Sequence, residues 1–182
     1  MTEIPGYRPG TYVLDPSHSE VTFSVRHMMI SKVRGTFGVK SATLIAPENP
    51  LDAKVTASVD VTSIDTKDEG RDAHLRSADF FDVENHPNME FVSTGTRLEK
   101  GDFLVDGDLT IRGTTKPVTF TFDFGGFGSD PYGNYKAGAS ATTTINREDF
   151  GLTWNAALES GGVLVGKDVT INLDLQGALQ QD

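Results

Sequence analysis

Residues 118–124 read Val-Thr-Phe-Thr-Phe-Asp-Phe, and this stretch indicates the class of fold. Its apolar side chains, three of them phenylalanine, occupy the even positions, whereas threonine and aspartate occupy the odd ones. Successive side chains of a β-strand point to opposite faces, so the stretch is predicted to be a strand with one apolar and one polar face. Such a strand is typical of an antiparallel sheet that faces a core on one side and water on the other.

The same alternation recurs along most of the chain and is separated by turn-forming residues. It appears at residues 20–27, 55–61, 103–111, 135–145 and 169–175. Turn signals occur at residues 47–50, 100–102, 113–117 and 125–133. Continuous apolar runs separated by long helices, which a parallel sheet would need, do not occur. We therefore predict an all-β fold in which about eight antiparallel strands close into a barrel.

Two irregularities interrupt this pattern. The apolar side chains of residues 33–39 lie on odd positions and those of residues 42–46 on even ones, which predicts a β-bulge near Gly38 to Ser41. Residues 65–69 predict a turn into a short helix at 71–76, and Ser77 is a candidate N-cap for a second helical piece before Phe80 and Phe81. Both pieces are short, and we expect them to cover one end of the barrel.

Length and composition favour one domain without covalent cross-links. The chain has 182 residues and no cysteine, so we expect a single domain over residues 1–182 and no disulfide or thiolate metal site. The first twelve residues do not resemble a secretion signal, and no apolar run is long enough to span a membrane. From this we expect a cytoplasmic protein without stable membrane insertion.

The charge balance excludes one large class of partners. The chain carries 26 acidic residues against 16 lysines and arginines, a formal net charge of −10. Nucleic-acid binding needs clustered cations that neutralise phosphates, so we expect no nucleic-acid partner. The same excess argues against docking on anionic membrane surfaces.

The sequence leaves two alternatives for the inside of the barrel. Several phenylalanines share the apolar faces with small residues such as Gly107, Ala137, Ala139 and Ala141. These small side chains would leave unfilled space along part of the barrel wall. A dry void lined by such residues favours an apolar ligand. Alternating large and small residues also fill tapered barrels completely, however, so a solid core is the other interpretation.

Signals for catalysis are weak. The four histidines, at positions 18, 27, 74 and 86, do not follow metal-ligand spacing, and we predict no metal site. A Gly-x-Ser-x-Gly nucleophile elbow is absent, and the glycines at 125–128 are interpreted as a loop. Trp154 is the sole tryptophan, and it either lines the mouth of the barrel or closes one end. The residues alone therefore identify no catalytic site.

Several blocks of the sequence, in order, resemble the YceI-like family. They cover the chain from about Tyr12 to Leu175, and the most specific is Gly-Asp-Leu-Thr-Ile-Arg-Gly at 107–113 followed by Lys-Pro-Val at 116–118. Other matching blocks are residues 12–19, 33–37, 63–66, 71–83 and 146–151. The resemblance implies an extended lipocalin-like barrel with a long apolar tunnel that holds a polyisoprenoid chain, such as a quinone tail or an isoprenyl phosphate. It also implies a binding protein rather than an enzyme, a possible homodimer, and no cofactor other than the bound lipid.

With that ligand, the interior faces supply the expected binding residues. These are Phe23, Val25, Phe37, Val59, Phe91, Phe103, Leu109, Phe120, Phe122, Ala139, Trp154 and Ile171. His27, His74 and Arg76 are candidates for contacts with the headgroup, the alternative being a purely structural role. We expect Phe120→Asp to abolish ligand retention with little change in secondary structure. An enzyme acting on an isoprenoid-like substrate and a ligand-free structural barrel are the competing functions.

Overall fold

A computed structural model describes residues 3–159 and 161–181 and contains one sheet of nine strands and one α-helix. Three short 3₁₀ turns, Pro16–His18, Pro50–Asp52 and Arg147–Phe150, lie between the strands. The elements are β1 Gly10–Leu14, β2 Glu20–His27, β3 Ser31–Ala46, β4 Lys54–Asp65, α1 Glu69–Arg76, β5 Asn88–Glu99, β6 Asp102–Ile111, β7 Thr114–Ser129, β8 Tyr135–Asn146 and β9 Val165–Leu179.

The sheet closes on itself, which confirms the predicted antiparallel barrel. Strands β2 to β9 form a ring, since β3 pairs with both β2 and β4, and β2 pairs with β9. Strand β1 pairs with the far ends of β3 and β9, so β1 and β2 occupy one position in the ring, interrupted by the turn at Pro16–His18. The barrel therefore has eight strand positions, and its closure leaves few strand edges unpaired.

Strand β3 bends where its hydrophobic phase changes. Its pairing with β4 shifts register between Thr36 and Gly38 and again between Val39 and Ser41. The extra residue lets Val39 and Ala42 both point inward although three positions separate them. This confirms the bulge predicted from the sequence.

Two hairpin turns are tighter than the sequence suggested. Arg112 and Gly113 form a two-residue turn with φ of 49° and 74°, and β7 starts at Thr114. The predicted turn at 113–117 is thus wrong in extent, because Pro117 already pairs with Asp108 inside the hairpin. The positive φ at both turn positions matches the right-handed twist of the strands.

The glycines at 125–128 were wrongly assigned to a loop. Strand β7 continues through Gly128 to Ser129, with a register shift between Phe124 and Gly126. Side-chain alternation is invisible where three of four residues are glycine, so the sequence pattern alone places the end of the strand too early. The turn to β8 occupies only residues 130–134.

The helical region contains one helix rather than two. Asp68 caps α1 by accepting a hydrogen bond from Arg71 N at 2.9 Å. Ser77, predicted as an N-cap, is instead the C-cap of this helix, and its hydroxyl donates to His74 O at 2.6 Å. Phe80 and Phe81 follow in a hydrogen-bonded turn that packs against the barrel interior. The region covers one end of the barrel as expected.

Within the described ranges, no helix has the length and apolarity needed to cross a bilayer.

Candidate functional site: an apolar tunnel in the barrel

Two adjoining apolar chambers run along the barrel axis. The lower chamber, beside α1, has a volume of about 180 Å³, and the upper chamber has about 110 Å³. Ala42, Val55, Phe122 and Leu175 line both chambers, so the two adjoin each other along the barrel. A solid barrel core, the alternative left open by the sequence, is therefore not what the structure contains.

The tunnel extends over most of the barrel height. Strand β9 contributes lining residues from Val165 to Gly177, twelve residues apart. At ~3.3 Å per residue and a strand tilt of ~40°, this corresponds to roughly 30 Å along the axis. That length is similar to the hydrocarbon thickness of a bilayer, about 30 Å. A long, unbranched or regularly branched apolar chain fits such a shape better than a compact ligand.

Seven phenylalanines line the lower chamber together with a larger number of aliphatic side chains. The Phe91 and Phe120 rings meet edge to face at 5.3 Å between centroids, and Phe37 meets Phe81 in the same way at 5.7 Å. Phe81 lies in the turn after α1, so that turn supplies the floor of the chamber. The inward face of each strand reaches this chamber because its apolar residues repeat with period two.

Gly107, one of the small residues predicted to leave space in the barrel, is covered by a ring, and so is Gly35, which was not predicted. A Cβ on Gly107 would lie 2.4 Å from Phe91 Cζ, and one on Gly35 would lie 2.4 Å from the Phe23 ring. These glycines give the rings room to lie flat across the neighbouring strand. Ala139, by contrast, does line the upper chamber. Some small residues therefore make room for neighbouring rings, and others leave open space in the chamber.

The upper chamber is closed by a segment that sequence analysis did not assign to the site. Ile4 and Tyr7 line the chamber, and Tyr7 donates its hydroxyl to Pro47 O at 2.6 Å. Burial, reinforced by the nearby Tyr12, raises the pKa of Tyr7 to about 12. Tyr135 donates to Gly6 O at 2.5 Å, which fixes the same segment from the other side. Residues 3–9 show no hydrophobic period, so no pattern could have indicated this role.

Eleven of the twelve expected ligand-binding residues line the chambers. Trp154 does not, and it packs instead against Phe80 and His74, at centroid distances of 5.3 and 4.7 Å. The eleven that line the tunnel are Phe23, Val25, Phe37, Val59, Phe91, Phe103, Leu109, Phe120, Phe122, Ala139 and Ile171. Whether they contact a lipid stays a prediction.

The three headgroup candidates do not line either chamber. Arg76 donates to the backbone oxygens of Thr62 and Ile64, both at 3.0 Å, and so attaches α1 to β4. His74 contacts Asp79 at 2.9 Å and meets the Trp154 ring edge to face. His27 lies half-buried at the end of β2. The contacts of Arg76 and His74 are those of the structural alternative.

A buried arginine lies in the wall of the lower chamber. Arg147 is only 3% exposed and donates to four backbone oxygens, those of Leu152, Trp154, Val165 and Gly166. Burial lowers the pKa of its guanidinium. No carboxylate lies within ion-pair distance of it in the described part of the chain. Arg147 thereby connects the segment after β8 to the start of β9.

The chamber walls contain no acid–base pair suited to catalysis. Among the lining residues only Glu90 and Arg147 are ionisable at neutral pH, and the Glu90 carboxylate accepts from Ser58 Oγ on the exposed surface at 3.0 Å. Outside the tunnel, Asp15, Ser17 and His18 cluster on the surface. Both the serine hydroxyl and the aspartate contact the same histidine nitrogen, so the ring cannot relay a proton between them. In residues 3–159 and 161–181, no cluster of side chains could hold a metal ion.

Comparisons with known proteins agree with this architecture. Residues 12–177 match the family described as the YceI-like domain. A UPF0312 protein of Staphylococcus aureus is 37% identical over 172 residues, covering 93% of this chain and 98% of that protein. The crystal structure of BcnA from Burkholderia cenocepacia superposes with a TM-score of 0.76 at 22% identity, over 90% of this chain and 98% of BcnA. A polyisoprenoid binding domain from Saccharophagus degradans has a TM-score of 0.65 at 12% identity, over 93% and 98% of the two chains.

Proposed function

The chain belongs to the YceI-like family, and from this premise we propose that it binds one long-chain polyisoprenoid lipid in the barrel, for storage or transport. The lipid is a quinone with an isoprenoid tail or an isoprenyl phosphate. The observation that carries the proposal is the pair of adjoining apolar chambers, which share four lining residues and together extend over most of the barrel height. The Saccharophagus degradans domain, which has the same fold, is described as binding polyisoprenoids, and this supports the ligand class.

The energetics of the tunnel suit such a ligand. Transfer of one methylene from water into an apolar site is worth about 0.8 kcal/mol, so a five-carbon isoprenoid unit is worth up to about 4 kcal/mol. Association costs at least ~4 kcal/mol in lost motion. Three buried units, worth at most about 12 kcal/mol, reach micromolar affinity (~8 kcal/mol) only at the lowest of these costs, so a longer chain is needed when the cost is higher. A tunnel that supplies no hydrogen-bond partners along its length selects chains by length and cross-section.

The alternatives have less support. An enzyme acting on an isoprenoid-like substrate needs an acid–base pair near the reacting atoms, and the histidines and aspartates of the described chain do not line the chambers. A ligand-free structural barrel needs no tunnel at all. A homodimer and a cytoplasmic location stay predictions, which sedimentation and cell fractionation would test.

Native mass spectrometry of the purified full chain tests the proposal, followed by organic extraction and identification of the released lipid. We expect one polyisoprenoid per chain, and its headgroup would distinguish a quinone from a phosphate. A protein that is empty, and that also fails to take up added prenyl quinones and prenyl phosphates, would contradict the proposal.

A further inference from the structure

The hairpin between β2 and β3 ends in three exposed apolar residues. Met28, Met29 and Ile30, called here the hairpin tip, have exposed fractions of 45%, 54% and 82%. Val163 in the neighbouring segment is 38% exposed and enlarges the apolar surface. Met29 lies against this segment, because a Cβ on Gly162 would be 3.2 Å from Met29 Cγ. The barrel thus presents a convex apolar projection to the solvent.

The backbone of the hairpin tip does not explain its composition. Met28 and Met29 have φ values of 55° and 63°, in the left-handed region that asparagine and glycine prefer. Turns that need this conformation usually carry those residues. Two methionines followed by isoleucine are unfavourable both for the turn and for exposure to water. Conformational strain of this kind is a pointer to function rather than to stability.

Cations lie directly behind the tip on both strands. Arg26 and Lys32 are opposite each other in the hairpin register, and Arg34 lies two residues further along β3. All three are exposed, and none forms an ion pair with a carboxylate in the described part of the chain. Residues 26–34 contain no aspartate or glutamate. In a chain with a net charge of −10, this is a local concentration of positive charge.

The charged groups on the flanking strands do not cancel these cations. Strand β9 contributes Lys167 and Asp168, and Lys167 pairs with Glu148 at 3.7 Å. Strand β4 contributes Asp65, which lies 3.6 Å from Lys67. Asp168 forms no ion pair in the described residues, so the three hairpin cations outnumber the one carboxylate that these flanking strands leave unpaired beside residues 26–34.

From this arrangement we propose that the hairpin tip docks on the surface of a bilayer that contains anionic lipids. Residues two and four positions behind the tip are roughly 7 and 13 Å from it along the strands. An interfacial apolar group penetrates about 5–10 Å into the headgroup–acyl boundary. When the tip inserts, Arg26, Lys32 and Arg34 consequently lie at the level of the lipid phosphates.

The docked end is the end where the lower chamber lies. Val25 lines that chamber, and Val165, the register partner of His27, lines it too. The hairpin continues from these residues past the end of the tunnel. Docking there brings the tunnel next to the bilayer from which a lipid would be collected. The docking itself does not depend on which lipid the tunnel holds, so the proposed function and this inference can fail separately.

The overall negative charge predicted the opposite, that anionic membranes would repel the chain. Surface potential falls within about 10 Å at physiological salt, so the charges near the contact decide the outcome. Exposed acidic residues of the α1 region, such as Glu69 and Glu84, lie at the same end of the barrel, so the positively charged hairpin has to contact the bilayer ahead of them.

Vesicle flotation with the full chain tests the proposal, using phosphatidylcholine alone and an equimolar mixture of phosphatidylcholine and phosphatidylglycerol. We expect binding to the anionic vesicles that weakens with added salt. The triple variant Arg26→Gln/Lys32→Gln/Arg34→Gln should bind about a hundredfold more weakly, from roughly fivefold per cation near an anionic surface. The matched control Lys40→Gln/Lys54→Gln/Lys100→Gln, which removes the same charge elsewhere, should bind like the unmodified chain.

A fluorescent label tests insertion of the tip directly. The chain has no cysteine, so Ile30→Cys gives a single attachment point for an environment-sensitive dye, and Lys100→Cys gives a control on another hairpin. We expect a blue shift on anionic vesicles for the first label only. Equal binding of the two triple variants, or no shift at position 30, would overturn the proposal. So would a vesicle-independent dimer that Met28→Ser/Ile30→Ser abolishes, because the tip would then contact a second copy of the chain.

Discussion

Ala139→Phe tests whether a ligand occupies the upper chamber. Ala139 in β8 lies between Phe124 and Leu175 in the register of the sheet, and only its methyl group faces the chamber. Phenylalanine at this position places a six-carbon ring into a space of about 110 Å³. The lower chamber, where Ala139 is not a lining residue, stays open.

The expected effect depends on ligand length. The ring displaces about as many ligand carbons as it contains, and at ~0.8 kcal/mol per carbon this removes about 5 kcal/mol of binding free energy. Binding of a chain that fills both chambers should weaken by roughly a thousandfold or more. A shorter chain that the lower chamber accommodates alone should lose almost nothing. The unliganded barrel should become more stable by about 1 kcal/mol, because the substitution fills a void.

The assay is titration of the delipidated chain with prenyl alcohols of increasing length, read by native mass spectrometry. Ser140→Phe is the matched control, since Ser140 is the adjacent residue of the same strand and is exposed. Thermal unfolding of both variants establishes that the barrel is intact. Unchanged affinity for the longest alcohols would refute the argument, and an equal loss for short and long alcohols would show that the substitution distorts the barrel instead.

Three further predictions concern the barrel itself. Gly107→Ala should lower the free energy of unfolding by about 2–4 kcal/mol in urea denaturation, because the new Cβ would lie 2.4 Å from the Phe91 ring. Gly95→Ala is the control: its Cβ would have no atom within 4 Å, so the substitution should be nearly neutral. Arg147→Met leaves backbone oxygens without donors and should cost about 3 kcal/mol or more, seen as a lower Tm; a neutral result would mean that water replaces the guanidinium. Hydrogen bonds from neighbouring serine and histidine side chains lower the pKa of Asp15 to about 2, so its contribution to stability is present above pH ~4 and is lost as the pH falls toward 2. Asp15→Asn should flatten this part of an acid denaturation curve, and an unchanged curve would exclude the contribution.

Period-two alternation accounts for what could be predicted. Each strand shows its inward face directly in the sequence, so residues such as Phe23, Val59 and Ile171 could be placed on the tunnel wall without knowing the pairing of strands. The bulge in β3 was visible for the same reason, as a change of phase. These features depend on local geometry alone.

Features that depend on tertiary contacts could not be predicted from the sequence. Ser77 has the side chain of an N-cap, but the chain turns after α1, so its hydroxyl caps the end of that helix. The sequence shows no partner for the charge of Arg76, which made it a candidate for a headgroup contact. In the structure, β4 supplies two backbone acceptors for its guanidinium. No local pattern contains either partner.

Phe120 shows the same limit in energetic terms. The alternation correctly placed its side chain in the interior, and Phe120→Asp was expected to expel the ligand without disturbing the strands. The ring is only 5% exposed and packs edge to face on Phe91 at 5.3 Å. A carboxylate there would be buried without a partner, which costs several kcal/mol. Loss of the ligand in this variant would therefore not separate binding from folding, whereas Ala139→Phe does.

The two ends of the tunnel differ, and this difference relates the tunnel to the hairpin. At the upper end, the hydroxyls of Tyr7, Tyr12 and Tyr135 all donate to backbone oxygens, and Arg8 stacks on the Tyr135 ring at 3.8 Å. At the lower end, the three cations of the hairpin form no ion pair within the described residues, and the hairpin tip is exposed. If lipid enters from the docked end, its tail passes through the lower chamber before it reaches the upper chamber. Substitutions in the hairpin should then slow transfer from vesicles without changing the affinity in solution, and Ala139→Phe should change the preferred chain length without slowing transfer of short lipids.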